Sequence, residues 1–286
     1  MSGSSSTPRG FLADQAVVPG HWEAGTSVTF STATGLPSDA QVDLPNTARL
    51  GLQGRLSIGE SFELAGSLAL PPKRDEVTDD PPLVGGSLMG RYAVHRRHAL
   101  YLRAEADRLL RIGGPKDDGM WAQAAAGWDG RSFMDRRQRW LAFSWNLGAS
   151  AGQAVGAGGS EQPWLVEGVA GLGLHVLASF GDQGVGLTLG SDFRFPFADG
   201  GRAYWATDAP EINAQTRVDL HSSLFVTLAT GWSIVTTFAY RDRGDAGSPE
   251  SILPVLGGGF DQTQFLVGFS YGGTRKSDRV MELARN

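Results

Sequence analysis

The chain of 286 residues contains no cysteine. Disulfide bonds, thiolate zinc sites and cysteine nucleophiles are therefore excluded. Charged residues make up only 19% of the chain, and its 25 basic and 30 acidic side chains leave a net charge of −5. A general nucleic-acid-binding protein would carry a surplus of basic residues, so nucleic acid is not an expected partner.

Long apolar runs are also missing. No stretch of about eighteen apolar residues occurs, so the sequence predicts no transmembrane helix. The first twenty residues are rich in serine and lack the apolar segment of a secretory signal, so we expect either a processed or trimmed chain, or one that is not exported. Glycine, by contrast, fills 40 positions. The one membrane architecture that this composition allows is a β-barrel, whose spans are half polar.

Alternation with a period of two dominates the chain and predicts strands. In 183–197, for example, Leu187, Leu189 and other apolar residues share one face, whereas Gly186 and Thr188 lie on the other. Most such segments have the ten or so residues that a tilted strand needs to cross a bilayer. The twelve predicted strands are 21–31, 47–58, 61–71, 83–94, 99–112, 120–130, 138–153, 164–180, 183–197, 215–229, 232–241 and 262–272.

The connections between these segments are short and long in strict alternation, and the long ones are rich in Gly, Pro, Asp and Ser. This arrangement predicts an all-β fold, a single twelve-stranded antiparallel up-and-down transmembrane β-barrel with short periplasmic turns and longer extracellular loops. The barrel is expected over 20–272. A flexible N-terminal segment over 1–19 precedes it, and a periplasmic tail over 273–286 follows it.

Three features indicate that the apolar face of this barrel points outward to lipid. Eight strands already leave an interior that side chains just fill, so twelve strands with an apolar interior would enclose a large void. The polar face carries mainly Gly, Ser, Ala and Thr, and no lysine falls in a predicted strand, unlike the surface of a soluble sheet. Aromatic residues gather at the strand ends, where amphipathic rings meet lipid headgroups.

The aromatic girdle is predicted from the aromatic residues that lie on the apolar face of each strand, near its ends. A soluble β-sandwich is the alternative, but its core would concentrate aromatic residues in the middle of the strands. The predicted girdle residues are Trp22, Phe62, Tyr92, Trp128, Trp164, Phe180, Trp232 and Tyr271.

The last segment, QFLVGFSY at 264–271, resembles the terminal-strand signal of bacterial outer-membrane β-barrel proteins, because it has a polar start, a glycine and alternating aromatics. Over about 20–272 the chain is similar to that class. The resemblance implies the cell outer membrane as location, with the lipid bilayer and the barrel-assembly machinery as partners. The chain departs from the class pattern because a tail, GGTRKSDRVMELARN, follows Tyr271.

The polar face of each strand lines the predicted lumen. Its charges nearly balance, and the short turn near Gly59 is expected to bring Arg55 close to Glu63. Two readings stay open: a pore whose selectivity these side chains set, or a salt-bridged network that fills a closed barrel. The candidate lumen residues are Arg49, Arg55, Arg91, Arg103, Glu105, Asp107, Glu167, Asp192, Arg194, Arg217, Asp219 and His221.

Inward glycines are concentrated in the seventh to ninth strands, as in Gly148, Gly171 and Gly186. Glycine inside a strand often marks a close approach by another part of the molecule. We therefore expect part of 1–19, or an inward-folded loop, to pack against this wall. The alternative is that glycine only accommodates the curvature of the barrel.

Candidate catalytic and metal-binding groups are weak. His221 and Ser223 resemble part of the outer-membrane phospholipase site, but they lie on the inward parity and the neighbouring strand has no asparagine to orient the histidine. The five histidines do not cluster, and His95 and His98, which flank Arg96-Arg97 in a short turn, indicate a solvated basic turn and not a metal-binding pair. We expect no enzyme activity, no metal and no cofactor.

The sequence favours a passive, porin-like channel for small hydrophilic solutes. The alternative is a non-conducting barrel that anchors or scaffolds an envelope or cell-surface assembly with envelope proteins as partners. Exposed aromatic and aliphatic residues in the long loops 198–214 and 242–261 fit either a gate or a partner surface.

Overall fold

The computed structural model describes residues 17–34, 47–70, 85–108, 120–133, 140–155, 165–180, 183–197, 217–228, 230–242 and 261–274. These residues form a closed barrel of twelve strands. Within these ranges, no helix has the length and apolar character needed to cross a lipid bilayer.

Every strand pairs antiparallel with its neighbours in sequence, and β1 pairs with β12 to close the barrel. The predicted fold class is therefore confirmed. The strands are β1 (His21–Thr34), β2 (Thr47–Ile58), β3 (Phe62–Leu70), β4 (Gly85–His95), β5 (His98–Arg108), β6 (Met120–Phe133), β7 (Leu141–Val155), β8 (Leu165–Phe180), β9 (Gln183–Pro196), β10 (Arg217–Thr227), β11 (Trp232–Asp242) and β12 (Asp261–Thr274).

The predicted strand bounds differ from the observed ones by a few residues. The largest difference is at the end of β5, which was expected to continue to 112 and ends at Arg108. The last strand continues to Thr274, so the predicted tail begins two residues later than expected. The remaining tail, the segment 1–16 and almost all of the long loops, including 198–214 and most of 242–261, lie outside the described residues.

The two faces of each strand differ as the alternation predicts. On β9, Val185, Leu187 and Leu189 are exposed on the outer wall, whereas Gly186 and Thr188 are buried inside. The same contrast of an apolar outer wall with a largely polar interior recurs around the barrel. This is the reverse of a soluble protein, and it suits a wall that is solvated by lipid tails.

Glycine supplies the backbone conformations that the tight turns require. Gly59 between β2 and β3 and Gly231 between β10 and β11 both have positive φ, 65° and 86°. Before β1, the sequence Val18-Pro19-Gly20-His21 forms a type II turn: the His21 amide donates to the Val18 carbonyl (3.2 Å), and Gly20 has φ 68°. This turn directs Val17 and Val18 into the barrel.

Aromatic side chains lie on the outer wall at the end with the short turns. Tyr271 contacts Trp232 and Trp22, with ring centroids 5.1 and 5.5 Å apart. Of the eight predicted girdle residues, Trp164 lies outside the described residues and the side chain of Phe180 is not described. The other six point outward. Sequence reasoning missed Trp145, which contacts Trp128 at 5.9 Å in the same girdle.

Candidate functional site in the barrel lumen

A lower layer of charges joins strands β2, β3, β4 and β6 near the short turns. Glu63 is fully buried and accepts two ion pairs, from Arg55 Nε (3.8 Å) and Arg91 Nη1 (3.6 Å). Arg91 also contacts Asp129 through Nε at 2.8 Å. The register explains these contacts, because Arg91 is the direct partner of Glu63 and Arg55 lies diagonally across the β2–β3 turn. The predicted proximity of Arg55 and Glu63 is confirmed.

An upper layer of charges crosses the lumen. Arg194 on β9 contacts Glu105 on β5 through Nη2 (3.6 Å) and Glu167 on β8 through Nη1 (3.7 Å). Glu105 is also paired with Arg103 on its own strand. Three strands, β6 to β8, separate β5 from β9 in the wall. The Arg194–Glu105 contact therefore bridges the interior and does not run along the sheet.

Small inward residues on β6 to β8 leave space for neighbouring lumen side chains, including Tyr101. A side chain at Gly148 would lie 2.5 Å from the Tyr101 hydroxyl, and one at Gly127 would lie 2.7 Å from its ring. Gly171 is covered in the same way by Asn146 and Asp192. The close approach that the glycines predict is thus made by neighbouring side chains of the barrel, among the residues that the structure describes.

A half-buried histidine connects three strands below this bridge. His175 Nε2 shares a hydrogen bond with Ser144 Oγ (2.9 Å), and Nδ1 shares one with Thr188 Oγ1 (3.0 Å). Gly173 makes the first contact sterically feasible, because a side chain there would lie 2.5 Å from Ser144 Oγ. Both ring nitrogens are satisfied by neutral hydroxyls, which indicates a role in holding β7, β8 and β9 together.

An apolar cluster lies on the inner wall at the short-turn end, where mainly Gly, Ser, Ala and Thr were expected. Phe225, Val235, Leu177 and Ala142 are buried there, and Leu266 packs against them. All five lie on the inward parity of their strands. The large apolar members, Leu177, Phe225, Val235 and Leu266, correct the expectation of an inner face of small residues with scattered charges. Phe225 is two residues after Ser223 on β10 and therefore lies on the same inward face. This spacing is the sequence signal that could have identified it.

The residues just before β1 contribute a second apolar contact at the same end. Val17 and Val18 are 4% and 2% exposed. Val17 packs against Ala99, which is fully buried, and Ala93. These alanines belong to β4 and β5, so this part of the N-terminal segment lies against a different wall from the glycines of β7 to β9. A lumen plug formed by the rest of 1–19 stays a prediction.

A cavity lies in the described part of the lumen, on the side of β1 to β5. Its volume is about 130 Å³. Its polar lining includes Thr29, Arg49, Gln53 and Arg103. Val235, Leu266 and Met89 are among its apolar lining residues.

The predicted lumen residues are inward wherever their side chains are described. Ion pairs with Glu63 bring Arg55 and Arg91 together. A second set of ion pairs brings together Arg103, Glu105, Glu167 and Arg194. Arg49, Asp192, Asp219 and His221 also face the lumen, and the side chains of Asp107 and Arg217 are not described. The role of these residues in selectivity stays a prediction.

His221 and Ser223 do not form a catalytic pair. The His221 ring occupies the space above Gly190, whereas Ser223 Oγ shares a hydrogen bond with Thr237 Oγ1 (2.8 Å). In the described part of the chain, no group of three or more potential metal ligands occurs.

No protein-family model matches the sequence, and no curated protein resembles it. Among solved structures, the chain is similar to the translocator domain of the autotransporter NalP from Neisseria meningitidis (TM-score 0.50, 13% identity, 91% of each chain covered). It is also similar to the β domain of the Bordetella autotransporter BrkA (0.47, 13%, 90% of this chain and 100% of that one). A third is the COG4313 outer-membrane channel from Pseudomonas putida F1 (0.47, 9%, 91% and 98%). The likeness shows the fold, which is that of the bacterial outer-membrane β-barrels.

Proposed function

We propose that this outer-membrane barrel is non-conducting at rest and serves as a membrane anchor or scaffold in the cell outer membrane, for an envelope or cell-surface assembly. The observation that supports this function best is the ion pair between Arg194 and Glu105. A contact between strands on different sides of the lumen divides the aqueous path that a solute would follow.

The burial of the inward polar residues supports a filled lumen. Glu63 and Ser223 are fully buried, and Glu167 is 2% exposed. In a water-filled pore the carboxylates that face the interior would be hydrated, because burying a charge without a partner is costly. In this lumen, Glu63 and Glu167 each contact at least one arginine. A network of this kind makes the barrel rigid and occupies space through which a solute would otherwise pass.

Apolar contacts occupy part of the lumen at the end with the short turns. The cluster around Phe225 lies on β7, β8 and β10 to β12, and the contact of Val17 with Ala93 and Ala99 lies on β4 and β5. Together they occupy two sides of the lumen at the same end. Together with the ion pairs of Glu63 at the same end, these apolar side chains reduce the space through which a hydrated ion could pass.

Single-channel recording tests the proposal. The refolded protein is inserted into a planar bilayer, and insertion is verified by resistance of the strands to protease. We expect no discrete current steps from the natural sequence. A variant that combines Glu105→Ala, Arg194→Ala and Val17→Gly should show steps, since it removes the bridge and the N-terminal apolar contact. Frequent steps from the natural sequence would contradict a closed barrel.

A passive channel for small hydrophilic solutes is the second candidate. The cavity beside β1 to β5 favours it, because polar side chains such as Arg49, Gln53 and Arg103 line a space that is not filled by protein. In this case the Arg194–Glu105 ion pair and the apolar contacts act as a gate. The reversal potential of any current in a salt gradient would then show whether cations or anions pass.

A further inference from the structure

We propose that the outer wall of β5 to β7, at the end with the short turns, binds an anionic phospholipid of the surrounding bilayer. The phosphate is held at the β4–β5 turn, the headgroup region lies against the rings of His98, Trp128 and Trp145, and an acyl chain lies along β6. The site belongs to the outward face of the barrel, so it exists whether or not the lumen conducts.

The charges of the short turns are distributed unevenly around this end of the barrel. The β4–β5 turn contains Arg96 and Arg97 and no acid, whereas the β2–β3 and β8–β9 turns contain one acid each, Glu60 and Asp182. In sequence, the connection 134–139 between β6 and β7 has three arginines and one aspartate. The whole chain has a net charge of −5, so attraction of an anionic lipid must be local to this basic side.

Arg97 is the principal ligand expected for the phosphate. Its backbone N–H donates to His95 Nδ1 (3.3 Å) and its carbonyl accepts from the Arg131 N–H (2.9 Å), so these hydrogen bonds use the backbone alone. Within the residues that the structure describes, the Arg97 guanidinium forms no ion pair. It therefore offers a lipid phosphate its charge and its planar set of donors. Arg96 already interacts with another group, so it adds positive charge and is not needed as a ligand.

Aromatic rings form a platform on the outer wall beside this turn. The ring centroid of His98 lies 5.7 Å from those of both Trp128 and Trp145, and the two indoles lie 5.9 Å apart. Gly130 permits this packing, because a side chain there would lie 2.5 Å from the Trp145 ring. The β4–β5 register shifts just before the turn, and His95 lies 5.7 Å from His98. Amphipathic rings of this kind mark the level of the lipid headgroups.

The outward face of β6 is smooth above the platform. Its outward residues there are alanines, Ala122, Ala124 and Ala126, whereas large exposed side chains stand on the neighbouring strands, Leu102 on β5 and Leu147 on β7. An acyl chain can approach a floor of methyl groups closely and gains dispersion contacts along its length. The floor leads to the rings and the basic turn, so one lipid molecule can contact all three.

These features together select an anionic lipid. A zwitterionic phospholipid carries a positive group beside its phosphate, so it gains less from a basic turn than a lipid with a net negative charge. A soluble phosphate would leave the alanine floor without a contact. Phosphatidylglycerol is therefore a suitable probe, and phosphatidylcholine with the same acyl chains is the matched control.

Quenching by brominated lipids tests the site in the refolded full chain. Because the chain has no natural cysteine, a fluorescent label on Leu100→Cys reports from the platform, where Leu100 is exposed and is the direct strand partner of Trp128. The vesicles contain phosphatidylcholine and phosphatidylglycerol in a ratio of about four to one, and equal amounts of either lipid carry bromine. We expect phosphatidylglycerol to be enriched at the label about fivefold, the effect of one arginine near an anionic surface.

Arg97→Gln should remove most of this enrichment, and Arg97→Lys should keep most of it because the charge remains. The control label is on Leu228→Cys, an exposed position at the same end before the uncharged β10–β11 turn, and there both lipids should quench equally. Equal enrichment at both labels would mean a general surface attraction and would overturn the site. So would enrichment that Arg97→Gln leaves unchanged, or equal quenching by both lipids at Leu100→Cys.

Two further arms complete the test. Soluble glycerol phosphate, added at the concentration of the anionic lipid, should leave the enrichment intact, and its loss would show that the turn binds a free phosphate instead of a lipid. If Arg97→Gln fails to refold, raised salt on the labelled Leu100→Cys protein decides, because screening should abolish an attraction that depends on an exposed arginine. Enrichment that persists at high salt would overturn the role of charge.

Discussion

The ring of Phe225 on β10 occupies the space that a side chain at Gly186 on β9 would fill. The two residues are direct strand partners on the inward face. Phe225 belongs to the apolar cluster at the short-turn end, so the missing side chain of Gly186 is what lets that cluster form. The same device recurs higher on the same pair of strands, where His221 covers Gly190.

Gly186→Ala should therefore destabilise the barrel. The added methyl group would overlap the Phe225 ring, and overpacking of this kind costs about 1–3 kcal/mol. The measurement is the free energy of unfolding in urea for the protein refolded into vesicles. Gly54→Ala is the matched control, because Gly54 faces outward and its nearest neighbouring atom, the Glu23 carbonyl oxygen, would lie 3.8 Å away. The double variant Gly186→Ala with Phe225→Leu should recover part of the loss, and equal effects at both glycines would contradict the steric account.

The bridge between Arg194 and Glu105 should be visible as an energetic coupling. Glu105→Gln and Arg194→Gln each leave a largely buried charge with one partner fewer, which costs about 1–3 kcal/mol. In a double-mutant cycle the two losses should overlap by about 0.5–3 kcal/mol, because the residues are in contact. Unfolding in urea provides the four free energies.

A second cycle controls for indirect effects of these substitutions. Glu60 lies in the exposed turn after β2, so Glu60→Gln and Arg194→Gln should be additive within about 0.5 kcal/mol. Additivity of Glu105→Gln with Arg194→Gln would show that the bridge does not persist in the membrane-inserted protein.

Much of this fold is predictable from sequence because the side-chain period of a strand is two. Once the parity of a residue such as Leu187 is known, the inward or outward direction of its strand neighbours follows. Alternating loop lengths then fix which strands are adjacent, as the contact of Arg55 with Glu63 across a short turn illustrates. These are local properties of the chain.

The contacts across the lumen could not be predicted in this way. The meeting of Arg194 with Glu105 depends on the tilt and stagger of twelve strands, which no local pattern contains. The inward position of Phe225 breaks the rule that inward residues are polar, and only its steric fit to Gly186 explains it. Val17 was not expected against β4 and β5, because its direction is set by the turn at Gly20.

The position of Val17 can be tested by cross-linking, since the chain contains no natural cysteine. Val17 packs against Ala99, so Val17→Cys with Ala99→Cys should form a disulfide in high yield on mild oxidation of the refolded barrel. The control pair is Val17→Cys with Ala239→Cys, because Ala239 lies on β11 towards the other end of the barrel. Gel mobility under non-reducing conditions reports the yield. Similar yields for both pairs would mean that Val17 has no fixed position in the lumen.

Tyr271 connects two tryptophans in the girdle, and its ring should therefore contribute to stability in a bilayer. Contacts of this kind contribute about 0.5–1.5 kcal/mol each, so Tyr271→Ala should lower the free energy of unfolding by about 1–3 kcal/mol. Tyr271→Phe is the matched control, since it keeps both ring contacts with Trp22 and Trp232 and removes only the hydroxyl. Urea titration in vesicles of fixed lipid composition, followed by tryptophan emission, gives both values. If the alanine and phenylalanine variants lose equal stability, the hydroxyl and its headgroup contacts, and not the ring contacts, hold this part of the girdle.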